Sequence, residues 1–290
     1  MKPEQFDALE YTLAAIETIE RLAYNSDRVD WRAVRAEAST NIQAGSNPEV
    51  VYGEIRSALD MLADGHSFLV PPVDGARIAA SGQGPTEVRL DSAHVGYIRL
   101  DGFFGVNELA MNSYVGDLSS RIDALAHHDI AAWIVDLRHN GGGNMLPMLG
   151  GLASIVGTRN LGEFVDKHDR REPWNIHESV TIPSAKVSYL TAPAAVLIGE
   201  VTASSGEAVA IAFIGRSNSR LIGTPTKGLS SSNEMIRLAD GALLLVMTSL
   251  FADRTGKLYG GQIHPDDIVA DEKMVLEVAR NWIANTAQSG

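Results

Sequence analysis

Two short apolar segments constrain the fold more than any other part of this sequence, namely residues 131–137 (AAWIVDL) and 194–200 (AAVLIGE). Each is followed by a loop of small residues and then by a segment with the composition of a helix. Near-continuous apolar runs of this length are typical of strands that are buried on both faces of a sheet. Alternation of such strands with helices predicts a mixed α/β fold with a centrally parallel sheet, to which antiparallel strands are added towards the ends.

The first third of the chain has the period of helices instead. Apolar residues recur at steps of three and four over residues 6–22, which gives one apolar helical face. Asp30, and Asn47 with the proline that follows it, are start signals for a second and a third helix. These signals predict a helical N-terminal subdomain over residues 1–80 and an α/β core over residues 81–290.

Composition excludes several classes of function. The chain carries 36 acidic and 24 basic residues, a formal net charge of −12, so we expect no nucleic-acid partner. It has no cysteine, which excludes disulfides, thiolate metal sites and a cysteine nucleophile. No histidine spacing is typical of a metal site, so we expect neither a metal nor another cofactor. No secretion signal or membrane-length apolar run is visible, which predicts a cytoplasmic protein without a membrane partner.

A pair of serines lies where the second apolar segment gives way to a helix, in residues 202–207 (TASSGE). Small residues at such a turn let a hydroxyl project from the carboxyl edge of a sheet, and a helix N-terminus directs N–H groups at nearby negative charge. A serine nucleophile needs such a hydroxyl and such donors for an oxyanion. The alternative is structural, since Ser204 or Ser205 would also cap the helix, with Glu207 completing a capping box.

Three successive glycines follow the first apolar segment, in residues 136–143 (DLRHNGGG). Glycines allow a close approach of backbone that a side chain would block. The loop matches neither the Walker pattern nor the dinucleotide-binding fingerprint, which argues against a phosphate cradle. Adjacent strand ends in an open α/β sheet face a common crevice, so this loop is a candidate source of an oxyanion N–H. A flexible turn is the structural alternative.

The third segment is residues 64–67 (DGHS), at the end of the third predicted helix. A histidine on such a loop is free to reach another part of the molecule and to act as a general base, which makes His66 a candidate. A lone histidine is more often structural or simply exposed. The other seven histidines keep that interpretation.

Together, these segments resemble the tail-specific, or C-terminal processing, serine peptidases, the family that includes tricorn protease core domains and the repeats of interphotoreceptor retinoid-binding protein. The resemblance implies a crotonase-like or ClpP-like α/β core that acts as a serine hydrolase. It extends in order over most of the chain through six segments: Leu62–Ser67, Gly96–Leu100, Val135–Gly143, Val196–Glu207, Gly223–Gly228 and Ile263–Asp266.

The resemblance assigns roles to four residues. Ser204, the first serine of the Ala-Ser-x-x-Glu pattern, is the nucleophile. The N–H groups of Ser205 and Gly142 would form the oxyanion hole. His66 matches the general base that the tricorn-like branch takes from its helical N-terminal region, so the implied catalytic pair is Ser204 and His66.

Two departures from the family pattern concern the groups beside the base. The place of the catalytic lysine in the other branch holds Leu229, and Lys227 lies two residues earlier. A shifted loop would present Lys227 as the base instead, whereas on a regular strand its side chain would lie on the same face at a different depth. The acid that assists histidine in tricorn-like members falls on Tyr259, so the imidazolium would lack a carboxylate partner there. The other candidates for this third group are Asp64, Glu207 and Glu234.

The resemblance also bears on the substrate. Many members carry a PDZ domain before the core, but only about 17 residues separate Phe68 from Thr86, which is too few for one. We therefore expect the cleft itself to bind a peptide or acyl substrate in an extended conformation, as family members do. Residues 157–190, with Trp174, are expected to border the cleft as a lid or to form a contact of a homo-oligomer.

The leading hypothesis is a serine peptidase that hydrolyses peptide bonds through an acyl-enzyme on Ser204, with His66 as general base. The same nucleophile would also serve ester hydrolysis or the cyclisation of a small-molecule or peptide precursor. A rival from another class is a carrier of apolar ligands, as among the retinoid-binding members. The serine, histidine and glycine segments argue against it, because a carrier has no use for an oxyanion hole.

Overall fold

The computed structural model describes residues 7–73, 86–105 and 107–287. Within these ranges the chain divides into two compact units. The first unit comprises residues 7–73, 166–170 and 231–249, and the second comprises the remaining described residues. The first unit therefore contains two segments from the second half of the chain in addition to the predicted helical subdomain.

Three helices form most of the first unit: α1 (Ala8–Leu22), α2 (Trp31–Asn41) and α3 (Pro48–Asp60). Each begins after a side chain that accepts a backbone N–H of the first turn, and these caps are Asp7, Asp30 and Asn47. The predicted start signals at Asp30 and Asn47 are confirmed. The first residue of the predicted apolar face, Phe6, lies outside the described residues.

Three strands complete the first unit: β1 (Phe68–Val70), β9 (Ser231–Arg237) and β10 (Leu243–Ala252), whose last three residues belong to the second unit. β10 pairs with β9 and runs antiparallel to β1, with Phe68 opposite Leu245. Leu244 and Val246 of β10 are fully buried in one cluster with apolar residues of the helices. His66 lies two residues before β1. That strand is held in place by its pairing with β10 and by packing against the helices.

The second unit is built on a six-stranded sheet in the order β11-β8-β7-β4-β3-β2. These strands are β2 (Thr86–Ser92), β3 (Val95–Leu100), β4 (Ala132–Asp136), β7 (Ala194–Ile198), β8 (Ser219–Gly223) and β11 (Asp267–Ile268). All neighbours are parallel except β2, which joins β3 antiparallel at one edge. Every residue of β4 and β7 is buried. The predicted centrally parallel sheet with two doubly buried strands is confirmed.

Helices cover both faces of this sheet: α4 (Glu108–Ala124), α5 (Met145–Gly151), α6 (Ala153–Val156), α7 (Ser205–Ile211) and α8 (Glu272–Ala287). Because side chains alternate along a strand, Trp133 of β4 belongs to a core with α4, α5 and α7. Its neighbour Ile134 belongs to a second core with Val275 and Ala279 of α8. Among the described residues, no helix combines the length and apolarity that a bilayer crossing requires.

The irregular stretch over residues 157–190 contains the antiparallel pair β5 (Glu163–Asp166) and β6 (Arg171–Pro173). Trp174 does not lie on a surface, since it is only 3% exposed. Its ring packs edge-on against Phe251, with 5.3 Å between centroids, and lies 5.8 Å from the ring of Phe164. Trp174 is therefore a core residue, and not the exposed aromatic side chain that a lid at the cleft or an oligomer contact would present.

Candidate active site

Ser204 occupies the turn between β7 and α7 in an unusual backbone conformation. Its φ is +51° and its ψ is −119°. Positive φ is uncommon for a residue with a side chain and persists where surrounding contacts enforce it. One such contact is the hydrogen bond that the Ser204 N–H donates to Glu207 Oε2 at 2.7 Å. Ser204 itself is partly exposed, whereas Ala203 and Ser205 on either side are buried.

The carboxylate of Glu207 is fully buried and accepts hydrogen bonds from four donors. Besides the N–H of Ser204, these are the N–H groups of Gly228 at 3.0 Å and Leu229 at 2.9 Å and the hydroxyl of Thr226. Burial raises the pKa of Glu207, and these hydrogen bonds oppose the rise. Glu207 therefore does more than cap a helix, because it also fixes the loop that contains Leu229.

The two candidate oxyanion donors lie close to Ser204. A methyl group on Gly142, whose φ is +109°, would approach Ser204 Cβ to 3.0 Å and the Ala203 carbonyl to 3.1 Å, so only glycine fits there. The Gly142 N–H donates to Asn140 Oδ1 at 3.0 Å, so it must share or release that bond in order to serve an oxyanion. The Ser205 N–H, first in α7, has no acceptor among the residues that the structure describes.

The register of the sheet brings the two loops together. Asp136, the last residue of β4, pairs with Leu197 of the neighbouring parallel strand β7, so both strands end at the same edge. Arg138 holds the glycine loop to this edge through two bonds to Asp136, at 2.9 and 2.6 Å. Burial would raise the pKa of Asp136, but the hydrogen bonds and charge of Arg138 outweigh it and the pKa is lowered. The loops over residues 136–143 and 202–207 lie side by side as expected, since the Ser205 hydroxyl donates to the Gly143 carbonyl at 2.6 Å.

His66 belongs to the first unit and is 7% exposed. Its backbone N–H donates to Asp64 Oδ1 at 2.8 Å, and its ring nitrogen Nδ1 lies 2.7 Å from Ser231 Oγ. Burial lowers the pKa of His66, and the negative charge of Asp64 opposes this only in part. The imidazole is therefore neutral near pH 7, which is the form required of a general base.

None of the four candidates for the third catalytic group hydrogen-bonds to the His66 ring among the described residues. Tyr259 donates its hydroxyl to Asp253 in the second unit, at 2.8 Å. The carboxylate of Asp64 accepts backbone and hydroxyl hydrogens of its own turn, not the His66 ring. Glu207 binds the groups described above, and Glu234 is exposed. The imidazole partner in the first unit is Ser231, which stands in a run of three serines that gave no signal of its role.

The lysine alternative also has a defined geometry. Lys227 is exposed and forms no ion pair within the described residues, and its N–H donates to the Thr202 carbonyl at 2.9 Å. Leu229, at the lysine-branch position, donates its N–H to the Glu207 carboxylate. The described part of the chain contains no cluster of three or more histidine or acidic residues placed to hold a metal ion.

A family model for peptidase family S41 matches residues 94–269, which is more than half of the sequence. The chain belongs to peptidase family S41. The match covers both loops of the candidate site, and it confirms the family predicted from the motifs. This S41 chain is accordingly a serine peptidase by family.

Three curated relatives align with this chain over different shares of their length. The nisin-resistance protein of Lactococcus lactis subsp. lactis is 25% identical over 264 residues, which are 88% of this chain and 81% of that protein. The chloroplastic carboxyl-terminal-processing peptidase 1 of Arabidopsis thaliana is 29% identical over 209 residues, or 67% of this chain. A carboxy-terminal-processing protease of Bartonella bacilliformis is 29% identical over 178 residues, or 60% of this chain. The S41 chain spans only 39% and 38% of these two processing peptidases.

Solved structures share the fold. A lipoprotein from Streptococcus agalactiae superposes with a TM-score of 0.85 at 23% identity and covers 99% of both chains. The photosystem II D1 C-terminal processing protease gives a TM-score of 0.67 at 16% identity, over 95% of this chain and 97% of that one. At these identities the similarity concerns the fold alone, and it confirms the predicted α/β architecture.

Proposed function

We propose that this S41 chain hydrolyses peptide bonds by acyl transfer, with Ser204 as the nucleophile and His66 as the general base. The observation that carries the proposal is the conformation of Ser204. Its positive φ, its N–H bond to Glu207 and its contact with Gly142 hold a partly exposed serine at a helix N-terminus beside a glycine loop. A carrier of apolar ligands has no need of this arrangement, whereas an acyl-transfer enzyme uses an accessible nucleophile beside N–H donors for the oxyanion.

In the proposed mechanism, His66 Nε2 accepts the proton of the Ser204 hydroxyl as Oγ forms a bond to the substrate carbonyl carbon. The carbonyl electron pair moves onto oxygen, and the N–H groups of Ser205 and Gly142 stabilise the resulting oxyanion. Collapse of this intermediate breaks the carbon–nitrogen bond, and the imidazolium protonates the departing amine. Water then attacks the acyl-enzyme with His66 again as base and releases Ser204.

Peptides are the substrate class proposed. The two processing peptidases are named for action at carboxyl termini, and the nisin-resistance protein is named for resistance to nisin. We therefore propose an extended peptide, and nisin itself belongs in the first substrate panel. Mass spectrometry of the products separates the alternatives, because ester hydrolysis releases an alcohol and cyclisation releases a macrocycle instead of two peptide fragments.

A fluorophosphonate probe tests the nucleophile without knowledge of the substrate. Ser204→Ala is expected to abolish covalent labelling, because the probe bonds to an activated serine hydroxyl. The matched control is Ser184→Ala, the same change at an exposed serine of the second unit, which should label like the parent chain. Undiminished labelling of folded Ser204→Ala protein would show that another group is the nucleophile.

A further inference from the structure

Strand β9 holds His66 at two points. Ser231 Oγ lies 2.7 Å from the ring nitrogen Nδ1, and Asn233 Nδ2 donates to the His66 carbonyl oxygen at 2.8 Å. Side chains two residues apart on a strand project from the same face, so one face of β9 binds both the ring and the backbone of this histidine. All three residues belong to the first unit.

The contact is well shielded from water. Ser231 is 2% exposed and His66 is 7% exposed. The Asp64 carboxylate accepts the N–H groups of His66 and Ser67 at 2.8 and 2.7 Å, which fixes the backbone on the other side of the histidine. A polar atom buried to this extent is stabilised by its hydrogen bond, so an imidazole that rotated away would leave the serine hydroxyl without its observed partner.

The hydroxyl beside Nδ1 can take either part in the hydrogen bond, so the direction of the bond and the tautomer of His66 are linked. A neutral imidazole has one N–H and one bare nitrogen, and a hydroxyl can accept from the first or donate to the second. If Ser231 accepts from Nδ1–H, then Nε2 is left with a free lone pair, the state that a general base requires. In serine peptidases with a triad, a carboxylate has this role at Nδ1.

We propose that Ser231 is the positioning residue for the S41 base: its Oγ accepts the Nδ1 proton of His66 and thereby keeps Nε2 free to receive the proton of Ser204. This inference rests on the proposed function and supplies the third group that the sequence left open. Ser231 differs from a triad carboxylate because it orients the imidazole without adding a negative charge.

The test compares Ser231→Ala, Ser231→Thr and the matched control Ser232→Ala, whose side chain projects from the opposite face of the strand. Ser231→Ala should lower the second-order rate constant of fluorophosphonate labelling about tenfold. One neutral hydrogen bond is worth about 1.4 kcal/mol at most, and a barrier raised by that amount slows a reaction tenfold. Ser231→Thr keeps the hydroxyl and should restore the rate to within about threefold of the parent. Ser232→Ala should leave it unchanged.

A second measurement reports on the tautomer independently of the reaction. Nitrogen-15 NMR of the His66 ring is expected to show Nδ1 protonated in the parent chain and in Ser231→Thr, with a shift towards Nε2–H in Ser231→Ala. An unchanged tautomer in Ser231→Ala, or a labelling loss that threonine does not restore, overturns the proposal. His66→Gln tests the base separately: if it labels at the parent rate, the catalytic assignment of His66 fails whatever the tautomer result.

Discussion

Replacing Glu207 with glutamine removes a buried charge that binds four donors. The carboxylate holds Ser204 and Leu229 through Oε2, and Gly228 and Thr226 through Oε1. Glutamine offers one acceptor oxygen and one NH2 group, so either pair of donors would face another donor. The less costly orientation places the NH2 group towards Thr226, because a hydroxyl oxygen can also accept.

The cost of this substitution follows from the donors left without an acceptor. In the better orientation the Gly228 N–H and the hydroxyl hydrogen of Thr226 lose their partner, at about 1–3 kcal/mol for each buried donor. Removal of the buried charge offsets part of this loss, because burial penalises the ionised form and raises the pKa of Glu207. We expect a net destabilisation of about 2 kcal/mol. For 290 residues, with an unfolding entropy of about 2.1 cal/mol/K per residue, that corresponds to a Tm lowered by roughly 3 °C.

Urea unfolding and fluorophosphonate labelling measure the two consequences. Glu207→Gln should lower the unfolding free energy by the amount given above. It should also slow labelling, but only by about threefold, because the Ser204 N–H keeps an oxygen acceptor while the loop over Thr226 and Gly228 loses its bonds. Glu200→Gln, the same change at an exposed residue before the helix that contains Glu207, is the control. Parent-like stability and labelling in Glu207→Gln would refute the account of this carboxylate.

Three further predictions concern the loop, its anchor and the base. Gly142→Ala introduces a methyl group 3.0 Å from Ser204 Cβ at a φ of +109°, so labelling should fall at least about tenfold with an unchanged circular dichroism spectrum. Asp136→Asn removes the charge that pairs with Arg138 and should cost about 3 kcal/mol in urea unfolding. Because burial lowers the pKa of His66, labelling should lose rate only below pH 6.5, and an acid limb above that value would contradict the assignment.

Much of the second unit could be predicted from local patterns. Strands β4 and β7 are buried on both faces, so their sequences are apolar throughout and identify a parallel sheet without other information. The sequence patterns around β9 and β10 also identify strands. They do not identify the unit to which a strand belongs. Alternation of apolar and polar residues shows that one face of the strand is buried, but it does not show which elements pack against that face. For this reason the sequence predicts residues 231–249 within the α/β core, whereas in the structure they belong to the first unit.

The limits of the site prediction have a similar origin. Ser204 and Gly142 follow strands whose register aligns their loops, so their proximity is implied by adjacency in a parallel sheet. Ser231 is 165 positions from His66, and its role depends on the pairing of β9 within the first unit. Two serines flank it, and only the pleat of the strand determines which hydroxyl reaches the ring. Trp174 shows the converse error, since an aromatic residue in an irregular stretch was placed at a surface and is part of the core.

The distribution of charge around the proposed catalytic groups leads to a last prediction. Asp64 and Glu207 both bind backbone N–H groups, and the described partner of the His66 ring is a neutral hydroxyl. Among the described residues no carboxylate hydrogen-bonds to the imidazole, and the charge of Asp64 offsets its burial only in part, so we expect the transition state to depend mainly on the donors that face the oxyanion. Disturbing the glycine loop should therefore slow acylation more than removing the Ser231 hydroxyl. The labelling rate of Gly142→Ala should fall below that of Ser231→Ala at pH 7.5, and the reverse order would mean that stabilisation of the histidine contributes more than stabilisation of the oxyanion.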